Sequence, residues 1–278
     1  MMRINPKYIY KNKHRILPLL YRKLFLKPFY RIRFYMARKG LFLSQNEKKI
    51  AQLRNAHKGK RIFILGNGPS LNVETLNLLK DEITFAANKI YLLNEETTWR
   101  PNYYCVEDDL VMKQNFKEIN KINESIKLFP ADMLAYAPKV NNGLYFNFIQ
   151  ENSYLPSVSS NAMDGIYWGS TIVYSMVQLA LYMGASEIYI MGVDFTFNVP
   201  KNHDKDKREI VSEGEINHFH KDYRKVGEKW NLPNLEVQVN SFKSLRKYSD
   251  KNDTKIYNAT IGGKLEELER IQLKSLFV

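Results

Sequence analysis

The chain has 278 residues, 44% of them hydrophobic, enough for one large domain with a full core. Its single cysteine, Cys105, excludes an internal disulfide framework and a cysteine-rich zinc site, and it suits a reducing compartment. The net charge is +13, but twelve of the 42 basic residues lie in residues 1–40, before the first acid, Glu47; the remainder is nearly neutral, which speaks against nucleic-acid binding by the folded body.

In chain order, residues 1–58 form a basic, amphipathic arm. Leucine and aromatic side chains alternate with its lysines and arginines, and Pro18 and Pro28 keep it from being one straight helix. Such a segment suits an anionic membrane surface; the plainer alternative is packing on its own domain or on a second subunit, as in a homo-oligomer. The sequence lacks an apolar run of about 18 residues and a secretory leader, so the expected location is cytoplasmic, peripheral on the inner face of the cell membrane.

Residues 59–278 read as an α/β domain. After a polar helix over 44–60, residues 61–65 are a short apolar run stopped by glycine, the pattern of a buried strand. A helix is expected over 73–80 and strands over 83–87 and 103–106. Residues 110–165 read as an insertion. A buried helix over 171–183 ends at Gly184, a strand follows over 187–193, and the charged stretch within 196–216, with His203, reads as a lid. The alternation predicts a Rossmann-like, mainly parallel sheet with helices on both faces.

Several motifs then fall at the carboxyl edge of that sheet, where open α/β sheets bind ligands. The loop Gly66-Asn67-Gly68-Pro69-Ser70 joins a strand to a helix. Its glycines allow positive φ and close backbone approach, Ser70 is placed to cap the helix, and free N–H groups at a helix start attract phosphate. It is neither a three-glycine dinucleotide fingerprint nor a Walker loop. Asn88 follows the second strand and could read a ribose hydroxyl or a base edge. Glu107, Asp108 and Asp109 follow the third and could hold Mg²⁺ on phosphates, touch a sugar or form a solvated turn. Asp194 closes the later strand. His218 and His220, with Lys221, Asp222 and Tyr223, supply general-base chemistry near neutral pH. No zinc site is expected, because no cysteine or third histidine is suitably spaced.

These motifs, in this order, resemble a bacterial family. The carriers are Gly169-Ser170-Thr171 before the buried helix, residues 181–195 through Asp194, the run His218-Phe219-His220-Lys221-Asp222-Tyr223, and residues 256–266 with Asn258. The family contains motility-accessory-factor glycosyltransferases and 6-hydroxymethylpterin diphosphokinase-like proteins, and it is distantly similar to bacterial CMP-sialic-acid-dependent sialyltransferases. The resemblance implies that Asn67, Gly68, Ser70 and Asn88 hold a cytidine nucleotide, with Gly66, Pro69, Gly169, Ser170, Thr171, Asp194 and Asn258 in the same site. It places Glu107 and Asp108 at the donor sugar or acceptor, where the sialyltransferases have an asparagine. His218 and His220 compete for the role of base, because the spacing here is His-Phe-His.

The expected activity is inverting transfer of a sialic-acid-like nonulosonic acid from a CMP donor to a glycan or glycolipid. The base is a histidine, Lys221 or Tyr223 assists the leaving group, and no cofactor is needed. The alternative is an ATP- and Mg²⁺-dependent 6-hydroxymethylpterin diphosphokinase-like enzyme. A non-catalytic nucleotide sensor is a third reading.

Overall fold

The computed structural model describes residues 13–151, 153–200 and 208–277. Part of the expected lid, including His203, lies outside the described residues. The centre is an eight-stranded sheet in the order β12-β11-β8-β1-β2-β3-β4-β5, and every pairing in it is parallel. Its strands are β1 (Arg61–Leu65), β2 (Ile83–Ala87), β3 (Tyr103–Cys105), β4 (Ile126–Pro130), β5 (Gly143–Phe146), β8 (Glu187–Met191), β11 (Lys255–Asn258) and β12 (Glu269–Arg270). Two short pairs stand apart: β6 (Phe148–Ile149) with β7 (Ile166–Tyr167), and the antiparallel ribbon β9 (Glu209–Val211) with β10 (Lys229–Asn231). The α/β, mainly parallel class predicted from the alternation is the class found. The chain leaves β1 toward β2 on one side and returns as β8 on the other, so a crevice opens at the carboxyl ends of these strands.

Local chemistry sets the elements. The helix Ile172–Tyr182 is buried along its whole length and starts at Thr171, whose hydroxyl accepts from the Val173 N–H. It ends at Gly184, at φ +83°. Its one amide, Gln178, is satisfied: Oε1 accepts from Ser159 N and Tyr167 N, and Nε2 donates to Tyr167 O. The expected helix over 73–80 is shorter, Val73–Asn77, and its cap is Asn72 in a capping box with Thr75 rather than Ser70. Residues 110–165 are not an insertion. They carry the helix Asp109–Lys121 and then β4 and β5, which extend the sheet. The apolar signal was diluted there by Lys127 inside β4 and by a break of helical geometry at Asn115.

The described part of the arm shares this core. It runs as a helix (Lys13–Tyr21), a π turn (Arg22–Leu26) and a second helix (Lys27–Arg38) with Pro28 in its first turn, where a missing N–H costs little. Leu26, Tyr30, Phe34 and Ala37 are buried in the central cluster. Arg33 binds Glu47, which is wholly buried. Burial alone would raise the Glu47 pKa, but Arg33, Asn46 and Ser44 outweigh it and hold the carboxylate ionised. Asn46 bonds both the N–H and the C=O of Tyr145 on edge strand β5, at 2.7 and 2.8 Å, so a side chain occupies bonds that a further strand would make. Arg22 and Lys27 flank the buried Asp132 at 3.7 and 3.6 Å.

Phe34 is 1% exposed. Truncating such a ring costs roughly 3–5 kcal/mol, so Phe34→Ala should lower the melting temperature by roughly 10 °C, in a single calorimetric transition. An arm that melted separately, or a negligible loss, would show that the arm is not part of the core.

Candidate active site

The site begins where β1 and β8 end side by side. Gly66 N donates to Met191 O and Gly68 N to Gly192 O, at 2.7 and 2.8 Å. A Cβ on Gly66 would lie 2.3 Å from the Gly192 carbonyl oxygen, and one on Gly68 would lie 1.9 Å from Asp194 Oδ2. Neither glycine has positive φ. The expectation of left-handed turns is therefore corrected: the glycines are required because a neighbouring strand end presses against them. Asp194 accepts from the Ser70 N–H at 3.2 Å and from its hydroxyl at 2.9 Å, so Ser70 and Asp194 brace the loop from within.

A cavity of about 240 Å³ opens over this junction. Asn67 and Asn88 reach it from β1 and β2, and Glu107 and Asp108 from β3. Ser170 and Thr171 reach it from the start of the buried helix, and His218, Tyr223 and Arg224 from the loop inside the β9–β10 ribbon. That loop is fixed to the glycine loop by Phe219 N donating to Asn67 O. Asn88 sits at φ +55°, a conformation asparagine tolerates, and its side chain and the Lys89 backbone pull the Tyr223 pKa down. Burial nevertheless pushes the Tyr223 pKa well up, so the phenol is a proton donor at every physiological pH.

Two basic side chains, each paired with a carboxylate, stand on the ribbon side of the cavity. Arg224 stacks on Trp230, with its guanidinium carbon 3.6 Å from the ring centroid. It lies 3.5 Å from Glu215, and its Nη2 is 3.5 Å from His218 Nε2. Lys89 is buried against Glu228 at 2.5 Å. Burial first, then the Arg224 and Lys89 charges, push the His218 pKa down to about 3, so its imidazole is neutral near pH 7. Across the cavity Glu107 accepts from the buried Ser175 hydroxyl at 2.6 Å. Burial, with some help from Asp108, raises its pKa to about 7 against the pull of Ser175 and Arg208. The usual order of a histidine above a glutamate is reversed here. Such divergent environments mark acid–base sites.

Five buried polar atoms on cavity-lining residues have no hydrogen-bond partner: Asn67 Oδ1, Asn88 Oδ1, His218 Nδ1, Trp230 Nε1 and Arg224 Nη1. Unpaired buried groups are costly; Arg224 Nη1 keeps its ion pair with Glu215, and the other four leave hydrogen-bonding capacity facing this cavity.

Other expected site residues have structural positions. Asn258 is wholly buried, and its amide is used up by Leu265 O and Thr260 N. Gly169 sits where a Cβ would meet the Tyr174 ring at 2.5 Å. Ser170 lines the cavity, but its hydroxyl accepts from Asn234 N. His220 and Lys221 line only a small adjoining recess that shares His218, Tyr223 and Arg224 with the cavity; His220 Nδ1 accepts from Asp222 N, and Nε2 lies 3.6 Å from Glu96. Of the two competing histidines, His218 is therefore the one at the cavity. Lys89, Arg224 and Trp230 were not expected as ligand contacts. Only the fold of the ribbon brings the last two to the site, and Lys89 was visible merely as the neighbour of Asn88.

The acids do not converge on a metal. Asp108 caps the helix after β3 by accepting from Leu110 N and Val111 N. Asp109 pairs with Lys113 at 2.8 Å, and Glu107 turns to Ser175. No group of three metal-ligating side chains forms among the described residues. Glu107 and Asp108 line the cavity and Asp109 does not; one or two carboxylates, with the phosphates themselves, are what Mg²⁺ on a triphosphate takes.

A sequence model described as 6-hydroxymethylpterin diphosphokinase MptE-like matches residues 42–200, more than half of the chain. The chain belongs to this MptE-like family. The match stops short of the ribbon that carries His218 and Arg224, so the MptE-like model covers the glycine loop and the buried helix but not the ribbon side of the cavity. No curated protein matches. Among solved structures, the MAf glycosyltransferase from Magnetospirillum magneticum AMB-1 is 14% identical, with a TM-score of 0.45 over 85% of this chain; the chain spans 40% of that protein's length. The sialyltransferase CstII from Campylobacter jejuni, solved in complex with the substrate analogue cytidine-5'-monophosphate, is 14% identical, with a TM-score of 0.43 over 77% of this chain and 85% of its own.

The reversed titration order has a sign that can be measured. With its pKa raised, Glu107 contributes stability that is complete below the ordinary value of 4.5 and lost as pH rises through about 7. Glu107→Gln retains an acceptor for Ser175 and removes that loss. The melting temperature of the variant relative to the parent should therefore climb between about pH 4.5 and pH 7 and level off above it. A difference that is flat across this window would show that Glu107 titrates as an ordinary surface acid.

Proposed function

We propose that this MptE-like chain is an inverting glycosyltransferase that moves a sialic-acid-like nonulosonic acid from a CMP donor to a glycan or glycolipid acceptor. The observation that carries the reading is the set of unpaired buried polar atoms gathered around His218. Asn67 and Asn88 offer acceptors for the hydroxyl and amino groups of a nucleoside. Arg224, Lys89 and the helix start at Thr171 offer positive potential for its phosphate. A neutral imidazole stands beside them.

In the proposed step the acceptor oxygen attacks the anomeric carbon as the bond from that carbon to the phosphate oxygen breaks, and CMP departs. His218 takes the acceptor proton. A single displacement of this kind inverts the anomeric centre. The helix start, Arg224 and Lys89 stabilise the charge that develops on the leaving phosphate, and the protonated Tyr223 phenol can donate to it. Lys221, outside the cavity, has no part. An imidazole with a pKa of about 3 is a weak base, but an anionic donor seated against Arg224 and Lys89 offsets the charges that depress it and raises its basicity. On this reading no metal is used, and the enzyme works at the inner face of the cell membrane, where lipid-linked acceptors sit.

The family's description favours a second reading, a diphosphokinase acting on a hydroxymethylpterin with ATP and Mg²⁺. Thermal-shift titration with CMP, CDP, UDP, GDP and ATP, each with and without Mg²⁺, separates the two. The glycosyltransferase reading expects a shift with CMP that ignores Mg²⁺; a shift only with ATP and Mg²⁺ would replace it with the kinase.

His218→Ala should reduce transfer by about 10²–10⁴-fold while leaving the CMP shift in place. His220→Ala should stay within a few fold of the parent. The opposite ranking would assign the base to His220, and full activity in both variants would remove histidine catalysis from the account.

A further inference from the structure

The arm has a second face that the core does not use. Of the 21 large hydrophobic side chains that are strongly exposed among the described residues, twelve lie within residues 17–43. Phe25 is 63% exposed, Leu24 and Ile32 are each 59% and Tyr35 is 55%, and Leu41, Phe42 and Leu43 continue the patch beyond the second helix. Single exposed apolar residues are ordinary, whereas a contiguous set marks an interaction surface. Leu26, Tyr30, Phe34 and Ala37, on the opposite face, are the residues that bind the arm to the domain.

The charges divide in the same way. Arg22 and Lys27 are matched by Asp132, Arg33 by Glu47 and Arg38 by Asp164. Lys23, Arg31 and Lys39 are exposed and have no ion pair among the described residues. The chain contains no acid before Glu47 that could balance them.

We propose that the outer face of this arm docks on an anionic lipid bilayer, with Leu24, Phe25, Ile32, Tyr35 and Phe42 entering the interface and Lys23, Arg31 and Lys39 at the headgroups. Two constraints select this partner. The exposed rings and leucines need an apolar phase, which a nucleic acid does not provide. The unmatched cations need negative charge, which a second copy does not provide, since symmetric contact would set the same excess positive charge against itself. An anionic bilayer meets both needs. The arm also packs on the turn Ala131–Ala135, which directly follows the carboxyl end of β4. It thus sits at the edge of the sheet on which the cavity opens, and docking brings that edge to the membrane. Delivery of a lipid-linked acceptor rests on the glycosyltransferase reading; binding to the bilayer does not.

The test uses the full chain and co-sedimentation with vesicles of phosphatidylcholine alone or mixed with phosphatidylserine. Binding is expected to the mixed vesicles only and should weaken with added salt. The double variant Leu24→Glu with Phe25→Glu alters exposed positions, so its melting temperature and its CMP shift should match the parent, while vesicle binding falls by at least about tenfold. Parent-like vesicle binding by this variant would overturn the proposal. So would a parent that is dimeric in sedimentation equilibrium and becomes monomeric in the variant, which would assign the face to a second copy. A missing CMP shift in both proteins would count against the proposed reaction and leave the membrane result standing.

Discussion

The contact between the carboxyl ends of β1 and β8 sets the rest of the site. Two backbones approach there so closely that neither Gly66 nor Gly68 has room for a single carbon beyond Cα. Asp194, at the end of the β8 side, reaches across to Ser70 and locks the loop. With the junction fixed, Asn67 is left at the cavity rim, its carbonyl takes a hydrogen bond from Phe219, and the ribbon segment bearing His218 and Arg224 is positioned. A glycine loop of this kind is easily taken for a phosphate cradle. Here its glycines serve strand-to-strand packing, and Asn67 faces the cavity together with groups from the surrounding elements.

Those groups are arranged by charge. The ribbon brings Arg224, the turn after β2 brings Lys89, and burial together with their charges drives protons off His218. On the far side Glu107 has only the neutral Ser175 hydroxyl as a hydrogen-bond partner and keeps its proton into the neutral range. The cavity therefore holds a neutral imidazole and a carboxyl that keeps its proton into the neutral range, beside two cations that are each paired with a carboxylate, Arg224 with Glu215 and Lys89 with Glu228. The unpaired oxygens of Asn67 and Asn88 call for ligand donors, and the unpaired N–H of Trp230 for an acceptor.

Much of this was legible in the sequence. Apolar runs ending in glycine gave β1 and β8, a run ending at Asn88 gave β2, and the long apolar stretch gave the buried helix, because in each case burial on both sides leaves a continuous hydrophobic pattern. The strands β4 and β5 were missed where that pattern is broken by Lys127 and by a polar, kinked helix. The gathering of Asn67, Asn88 and Glu107 at one edge followed from the strand–helix alternation, whereas His218 lies in the irregular loop of the ribbon. What could not be read was which side chains would be consumed internally. Ser70, Asp194 and Asn258 resemble ligand contacts in sequence, yet their polar atoms are spent on neighbouring backbone and side chains, and that depends on a tertiary approach no local pattern encodes. Arg224 and Trp230 were hidden for the same reason, since an irregular loop and a two-stranded ribbon carry them.

The central claim is that the cavity above the β1–β8 junction is a cytidine-nucleotide site organised around His218. A crystal structure with CMP tests it most directly. The account predicts the phosphate within hydrogen-bond reach of Arg224 and the first turn of the helix Ile172–Tyr182, and nucleoside groups on Asn67 and Asn88, which would then no longer be unpaired. CMP bound elsewhere, or a cavity in which these atoms stay unpaired at saturating nucleotide, would contradict it.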